Sequence, residues 1–224
     1  MVAPLLSFNT VFAGDSITEG SADLPKGFAY YVSQLLLAEI AGNTLPAGVS
    51  PTYIGSVGGG QSPVVNRNGV SGSTVQIHIG HSDGSGDWYG AGKPYNCQVL
   101  VNCIGVNDMT TDAGLAAYQA KLTALGLDYF YRHQAAGIYD LRLVMLYMPE
   151  CTAADRAARI TLGNPLIPIV SAELAAHGMN VFQAAPFNLG PGDFAVDGVH
   201  PNANAHQNIM APIVWAAMKL AMGY

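Results

Sequence analysis

The chain has 224 residues, half of them apolar and only 11% charged, with a formal charge of −6 from 9 basic and 15 acidic side chains. That length suits one domain over residues 1–224, and so apolar a composition argues against a disordered chain. The acidic balance argues against partners that need a basic surface, so neither nucleic acid nor an anionic membrane is expected.

The elements follow in chain order. Ser7 to Ala13 is a short apolar run that stops at Gly14-Asp15-Ser16. Phe28 to Ala41 has helical spacing and ends at Gly42-Asn43, a helix stop. Thr52 to Val57 is a candidate second strand, closed by Gly58-Gly59-Gly60. Val75, Ile77 and Ile79 alternate as a strand would, inside a Gly/Ser/Asp/His-rich stretch from Gly58 to Tyr95 whose crossover helix is expected to be short or replaced. Gln98 to Ile104 is a third strand, apolar at nearly every position, as a strand covered on both faces requires. Leu115 to Gln134 is a long helix, and Leu141 to Met148 a fourth strand ended by Pro149. Ala153 to Ala176 is helical with an interruption around Gly163, Pro165 and Pro168. Met179 to Gln183 is a fifth strand, and Asn202 to Met222 a closing helix with Pro201 near its first turn. This alternation implies an α/β fold, a three-layer α/β/α arrangement around a doubly wound parallel five-stranded sheet. Ligands of such folds sit at the carboxyl ends of the strands.

No stretch reaches the roughly 18 uninterrupted apolar residues of a spanning helix, and Met1 to Ala13 lacks the basic start of a signal peptide. A soluble chain is expected, cytoplasmic or exported. Cys97, Cys103 and Cys151 cannot all pair with one another, and Cys103 sits in an apolar run. No disulfide framework is expected.

Four pieces can carry chemistry. Ser16, at the end of the first strand between Gly14 and Gly20, can be held exposed on a tight turn, although it also suits a helix N-cap. Asp197-Gly198-Val199-His200 can place a carboxylate beside an imidazole, and a hydroxyl needs such a base to become a nucleophile. His206 is the competing imidazole, without a local acid. Gly105-Val106-Asn107-Asp108 ends the third strand with an amide that can donate to a developing oxyanion. Asn68-Gly69-Val70-Ser71-Gly72-Ser73-Thr74 is a Gly/Ser turn whose Gly72 lets a backbone N–H approach a ligand. A competing motif, Gly80-His81-Ser82-Asp83-Gly84, fits Gly-x-Ser-x-Gly, but the glycine-rich stretch after it cannot be the helix that motif requires. His78 and His81 complete no metal-ligand set and are expected in loops. No metal or cofactor is expected.

Taken in order, from Phe12 to about Ala211, the four pieces resemble the SGNH (GDSL) hydrolase family. The resemblance implies a flavodoxin-like sheet and a serine esterase, with Ser16 as nucleophile, His200 as base and then acid, and Asp197 orienting His200. It also implies an oxyanion hole made of the Ser16 and Gly72 backbone N–H groups and the Asn107 amide. Asp15 and Asp108 are expected to tie their loops to backbone donors. Pro51 to Gly58, with the Gly block, looks like the acetyl-xylan-esterase and sugar-deacetylase branch of that family, which implies a small-molecule or carbohydrate ester as substrate. Trp88, Tyr89 and Tyr95 are candidates for stacking on a sugar, and Asp15 a further candidate on the substrate side. The alternatives are a lysophospholipase, thioesterase or short-chain lipase using the same triad, and a non-catalytic flavodoxin-like binding domain.

Overall fold

In the computed structural model, which describes residues 5, 7–8, 10–19, 26–47, 50–51, 67–69, 71–80 and 97–224, strands and helices alternate along the chain. The elements are β1 (Ser7–Phe8), β2 (Thr10–Gly14), α1 (Ser16–Glu19), α2 (Phe28–Ala41), β3 (Ser50–Pro51), β4 (Arg67–Gly69) and α3 (Val75–Gly80). They continue with β5 (Val99–Cys103), α4 (Asp112–Ala135), β6 (Arg142–Met145), α5 (Ala157–Gly163), α6 (Leu166–Ala176), β7 (Asn180–Gln183) and α7 (Ala211–Met222). The main sheet has the order β4-β2-β5-β6-β7, every pair parallel, and β1 pairs separately with β3. β2 is the first of these five in the chain, β4 the second and β5 the third, so the winding direction reverses between β2 and β5. That reversal is the switch point where such sheets open a crevice for ligands.

The central strands carry the core. Every residue of β2 and β5 is buried, Phe12 stands opposite Val101, and Val101 opposite Val144. α2 packs on α7, which lies over β5, β6 and β7, while α4 packs with α3, α5 and α6. Phe28 meets Phe12 edge-on at 6.1 Å. Glu39 joins α2 to α7 by accepting from Trp215 Nε1 at 2.8 Å and Lys219 Nζ at 3.1 Å. Cys97 and Cys103 are buried free thiols and Cys151 is a half-buried one. Among the described residues, no helix is long and apolar enough to cross a membrane.

Local chemistry explains most element ends. α2 has the bounds its spacing predicts, with Gly42 closing it. α4 starts at Asp112 because Thr111 Oγ1 accepts the Gly114 N–H at 3.0 Å. The break between α5 and α6 falls at Asn164-Pro165, where the Asn164 amide brackets both backbone groups of Met148. Pro168 breaks nothing: it lies in the first turn of α6, where a missing N–H costs little. The closing helix is not uniform either. Residues Ala205–Met210 form a π-turn ahead of α7, next to Pro212, which cannot donate back into the preceding turn.

One sequence expectation changes here, and another is left untested. The Val75–Ile79 alternation is helical, not a strand: Val75 and His78 are buried at i and i+3, while Ile77 faces out. The proposed strand Thr52–Val57 lies outside the described residues, and the strand on the outer side of β2 is β4.

α4 and α6 touch at Gly126, where an added Cβ would sit 2.4 Å from Leu174 Cδ1, a fully buried side chain. Gly126→Ala therefore destabilises by about 1–3 kcal/mol despite alanine's better helix propensity. Urea unfolding midpoints check this, and the Gly126→Ala/Leu174→Ala double variant should lose less than the sum of the two single losses.

Candidate active site

Ser16 reaches the sheet end through a turn that tolerates little change. Gly14 runs so close to β5 that a Cβ would lie 2.0 Å from the Cys103 carbonyl oxygen and 2.2 Å from Thr18 Oγ1. Asp15 Oδ1 accepts the Ile17 N–H at 3.0 Å, and the Asp15 carbonyl accepts the Thr18 N–H at 3.1 Å. These bonds start α1 with Ser16 as its first residue, so the Ser16 backbone N–H has no acceptor within the helix. The side chain is 9% exposed.

The loop before α7 brings the imidazole. Ser16 Oγ lies 2.8 Å from His200 Nε2, and His200 Nδ1 lies 2.5 Å from Asp197 Oδ2. Asp197 Oδ1 also accepts the backbone N–H groups of Val199 at 2.9 Å and His200 at 3.0 Å. The loop is pinned from outside: Gly198, at φ +66°, presents its carbonyl to the Thr152 and Ala153 N–H groups, and Phe194 bridges Pro201. A Cβ on Gly198 would stand 2.5 Å from Thr152 Oγ1, so both conformation and space require glycine.

The structure thus joins Ser16, His200 and Asp197 in one hydrogen-bonded line, and it sets His206 apart. His206 is buried, accepts the Phe28 N–H on Nδ1 at 3.1 Å, and caps the start of α2. Burial, with the His200 charge as a smaller cause, pushes its pKa down to about 4.

The two remaining blocks meet across the switch point. Asn107 Nδ2 donates to the Ser73 carbonyl at 2.9 Å, and Asp108 Oδ2 accepts the Val75 N–H at 3.0 Å. A carbonyl only accepts, so the Asn107 nitrogen faces Ser73 and keeps a second hydrogen. Gly72 stands in the adjoining turn at φ +73°, with open space where a Cβ would be.

Other expectations fare differently. Asp15 is 1% exposed and serves its own turn, which fits loop-tying and corrects the expectation that it lies on the substrate side. His78 is no loop residue: it lies in α3, buried, with Nε2 2.8 Å from Ser73 Oγ. That pair escaped the sequence reading, although a serine and a histidine five residues apart in the Gly block were its signal. Trp88, Tyr89 and Tyr95, like the competing serine Ser82, lie outside the described residues.

The carboxylates divide by environment. Burial raises Asp197, but the His200 ring and two backbone N–H donors outweigh it and bring the group down to about 2. An ionised Asp197 can only accept, so Nδ1 of His200 carries the ring hydrogen and Nε2 is left to take the Ser16 proton. Asp15 is pushed up to about 6, chiefly by burial, against the Ile17 N–H and the His200 charge, with the Asp108 charge raising it further. Burial also raises Asp108.

An acid raised on folding takes up protons on folding, so Asp15 costs stability as pH climbs from 3.8 through about 6. The cost has an upper limit of about 3 kcal/mol. Asp15→Asn should be favoured over the native chain by up to about that much more at pH 7.5 than at pH 4. Urea denaturation at both pH values measures it, and parallel pH dependences would contradict the assignment.

Comparisons with known proteins bear on the family and the fold. The profile of the GDSL-like lipase/acylhydrolase family matches residues 12–207. No curated protein matches the chain at a significant level. Among solved structures, a variant of an acetyl xylan esterase from Geobacillus stearothermophilus superposes with a TM-score of 0.61 at 19% identity, covering 97% of this chain and 95% of its own. A variant of an acetyl esterase holding an acetate ion gives 0.67 at 18% identity, over 96% and 98%. A hydrolase from the metagenome of Lake Arreo, Spain, gives 0.57 at 21% identity, over 96% and 95%.

Proposed function

Since the chain belongs to the GDSL-like lipase/acylhydrolase family and is a carboxylic ester hydrolase, we propose that it removes acetyl groups from small esters, those on carbohydrate in particular. The observation that carries the reading is the line from Ser16 Oγ through His200 to Asp197.

Ser16 is the nucleophile. His200 Nε2 takes its proton as Oγ attacks the ester carbonyl carbon, and Asp197 holds the ring in the tautomer that allows this. The carbonyl oxygen becomes an oxyanion held by the Ser16 and Gly72 backbone N–H groups and the free hydrogen of Asn107. Collapse expels the alcohol, which takes the proton from His200. Water then attacks the acetyl-serine, gives a proton to His200, and acetate leaves as Ser16 recovers its hydrogen.

The preference for acetyl on sugar is supported by the likeness of the Pro51–Gly58 and Gly72 blocks to that branch and by the esterase folds named above. On the same reading, Trp88, Tyr89 and Tyr95 supply aromatic faces for the sugar.

Hydrolysis of p-nitrophenyl acetate tests the chemistry. Ser16→Ala should fall to background while Ser82→Ala keeps full rate, and the reverse result overturns the assignment. Asp197→Asn should lose roughly 10³–10⁴ in kcat with little change in KM.

A panel of acyl-chain lengths and acetylated xylooligosaccharides tests the substrate. A sharp acetyl preference is expected, and a maximum at long chains would favour a lipase or thioesterase. Trp88→Ala should raise KM for the acetylated oligosaccharide and spare p-nitrophenyl acetate.

A further inference from the structure

Ser73 and His78 are buried polar side chains with no part in the proposed chemistry, each 1% exposed. Ser73 Oγ and His78 Nε2 pair at 2.8 Å. The backbone carbonyl of the same serine receives the Asn107 amide at 2.9 Å. One residue thus faces two ways: its side chain is anchored in α3, and its main chain holds the amide at the end of β5. Asp108, next to Asn107, fastens the same turn a second time through the Val75 N–H at 3.0 Å. Gly72, whose N–H is a donor of the proposed oxyanion site, directly precedes the anchored serine.

The terminal torsion of an asparagine is soft, so a partner must fix where its hydrogens point. The two hydrogens of one amide nitrogen are rigidly related, and holding the first on Ser73 aims the second. An oxyanion donor is useful only if it is aimed before charge develops. We propose that Ser73 and His78 are positioning residues of the oxyanion site, a buried brace that holds the Ser73 main chain and through it the Asn107 amide. Neither side chain touches substrate; both act through Asn107 and the Gly72 turn. This rests on the oxyanion role given to Asn107 above.

A double-mutant cycle on p-nitrophenyl acetate tests it, with kcat and KM read separately and thermal melts showing each variant folded at the assay temperature. Asn107→Ala should lower kcat by about 10²–10³. Ser73→Ala should lower kcat about tenfold or more with KM within about twofold, because misaim costs rate before binding. In the Asn107→Ala background the same Ser73→Ala change should add almost nothing. If Ser73→Ala melts too early, His78→Leu takes its place in the cycle, and His78→Gln, which keeps a polar end toward Ser73, should recover part of the rate. Equal losses in both backgrounds would overturn the brace and leave the oxyanion assignment standing. A wild-type kcat for Asn107→Ala would overturn that assignment itself, and the brace with it.

Discussion

Everything at the site hangs on the closeness of β2 and β5 at their carboxyl ends. The two strands run in parallel register until Gly14 stands opposite Cys103, and there the backbones leave no room for even a methyl group. The chain then diverges on both sides at once. One strand turns into Asp15-Ser16, the other into the loop that carries Asn107. Because β4 lies on the far side of β2, the crossover must leave the switch point open, and the Gly72 turn comes back to its rim. Ser16 and Asn107 thus follow the two strands between which the winding reverses, where such sheets open a crevice.

The charges around that crevice are sorted by burial. Asp197 is half-exposed and accepts three hydrogen bonds, so it stays ionised above about pH 2. Asp15 and Asp108 are buried beneath the loops and resist ionisation instead. His206 is kept neutral above about pH 4 by burial.

How much of this was legible depends on whether a residue's partner is local. The β5 run, the α2 stop at Gly42 and the Asp197-to-His200 spacing are local facts, and each was readable. Asp197 needs only its own turn to receive the Val199 and His200 N–H groups. The Val75–Ile79 segment was misread because its second buried residue is a histidine, polar on any scale, whose burial depends on a serine in the preceding turn. Asp15 likewise looked available to substrate, since nothing in the sequence tells that Ile17 and the floor of the sheet enclose it. Pro168 looked like a breaker because its position relative to the start of α6 was unknown, and in the first turn a proline is harmless.

The catalytic contact that no local pattern dictates in the proposed mechanism is the 2.8 Å between Ser16 and His200, 184 positions apart. Neither residue sits on a strand, so the sheet alone does not set that distance. Ser16 is fixed through Gly14 to β5. His200 is fixed through Gly198 to Thr152 and Ala153, residues that follow β6, the neighbour of β5. The gap between base and nucleophile is therefore the spacing of β2 and β6, which flank β5, carried outward by two hydrogen-bonded arms. Each arm includes a glycine that admits no Cβ. Arms pinned to a stiff sheet hold the pair in hydrogen-bonding reach, and the three-residue step from Asp197 to His200 lets the acid travel with the base as one unit.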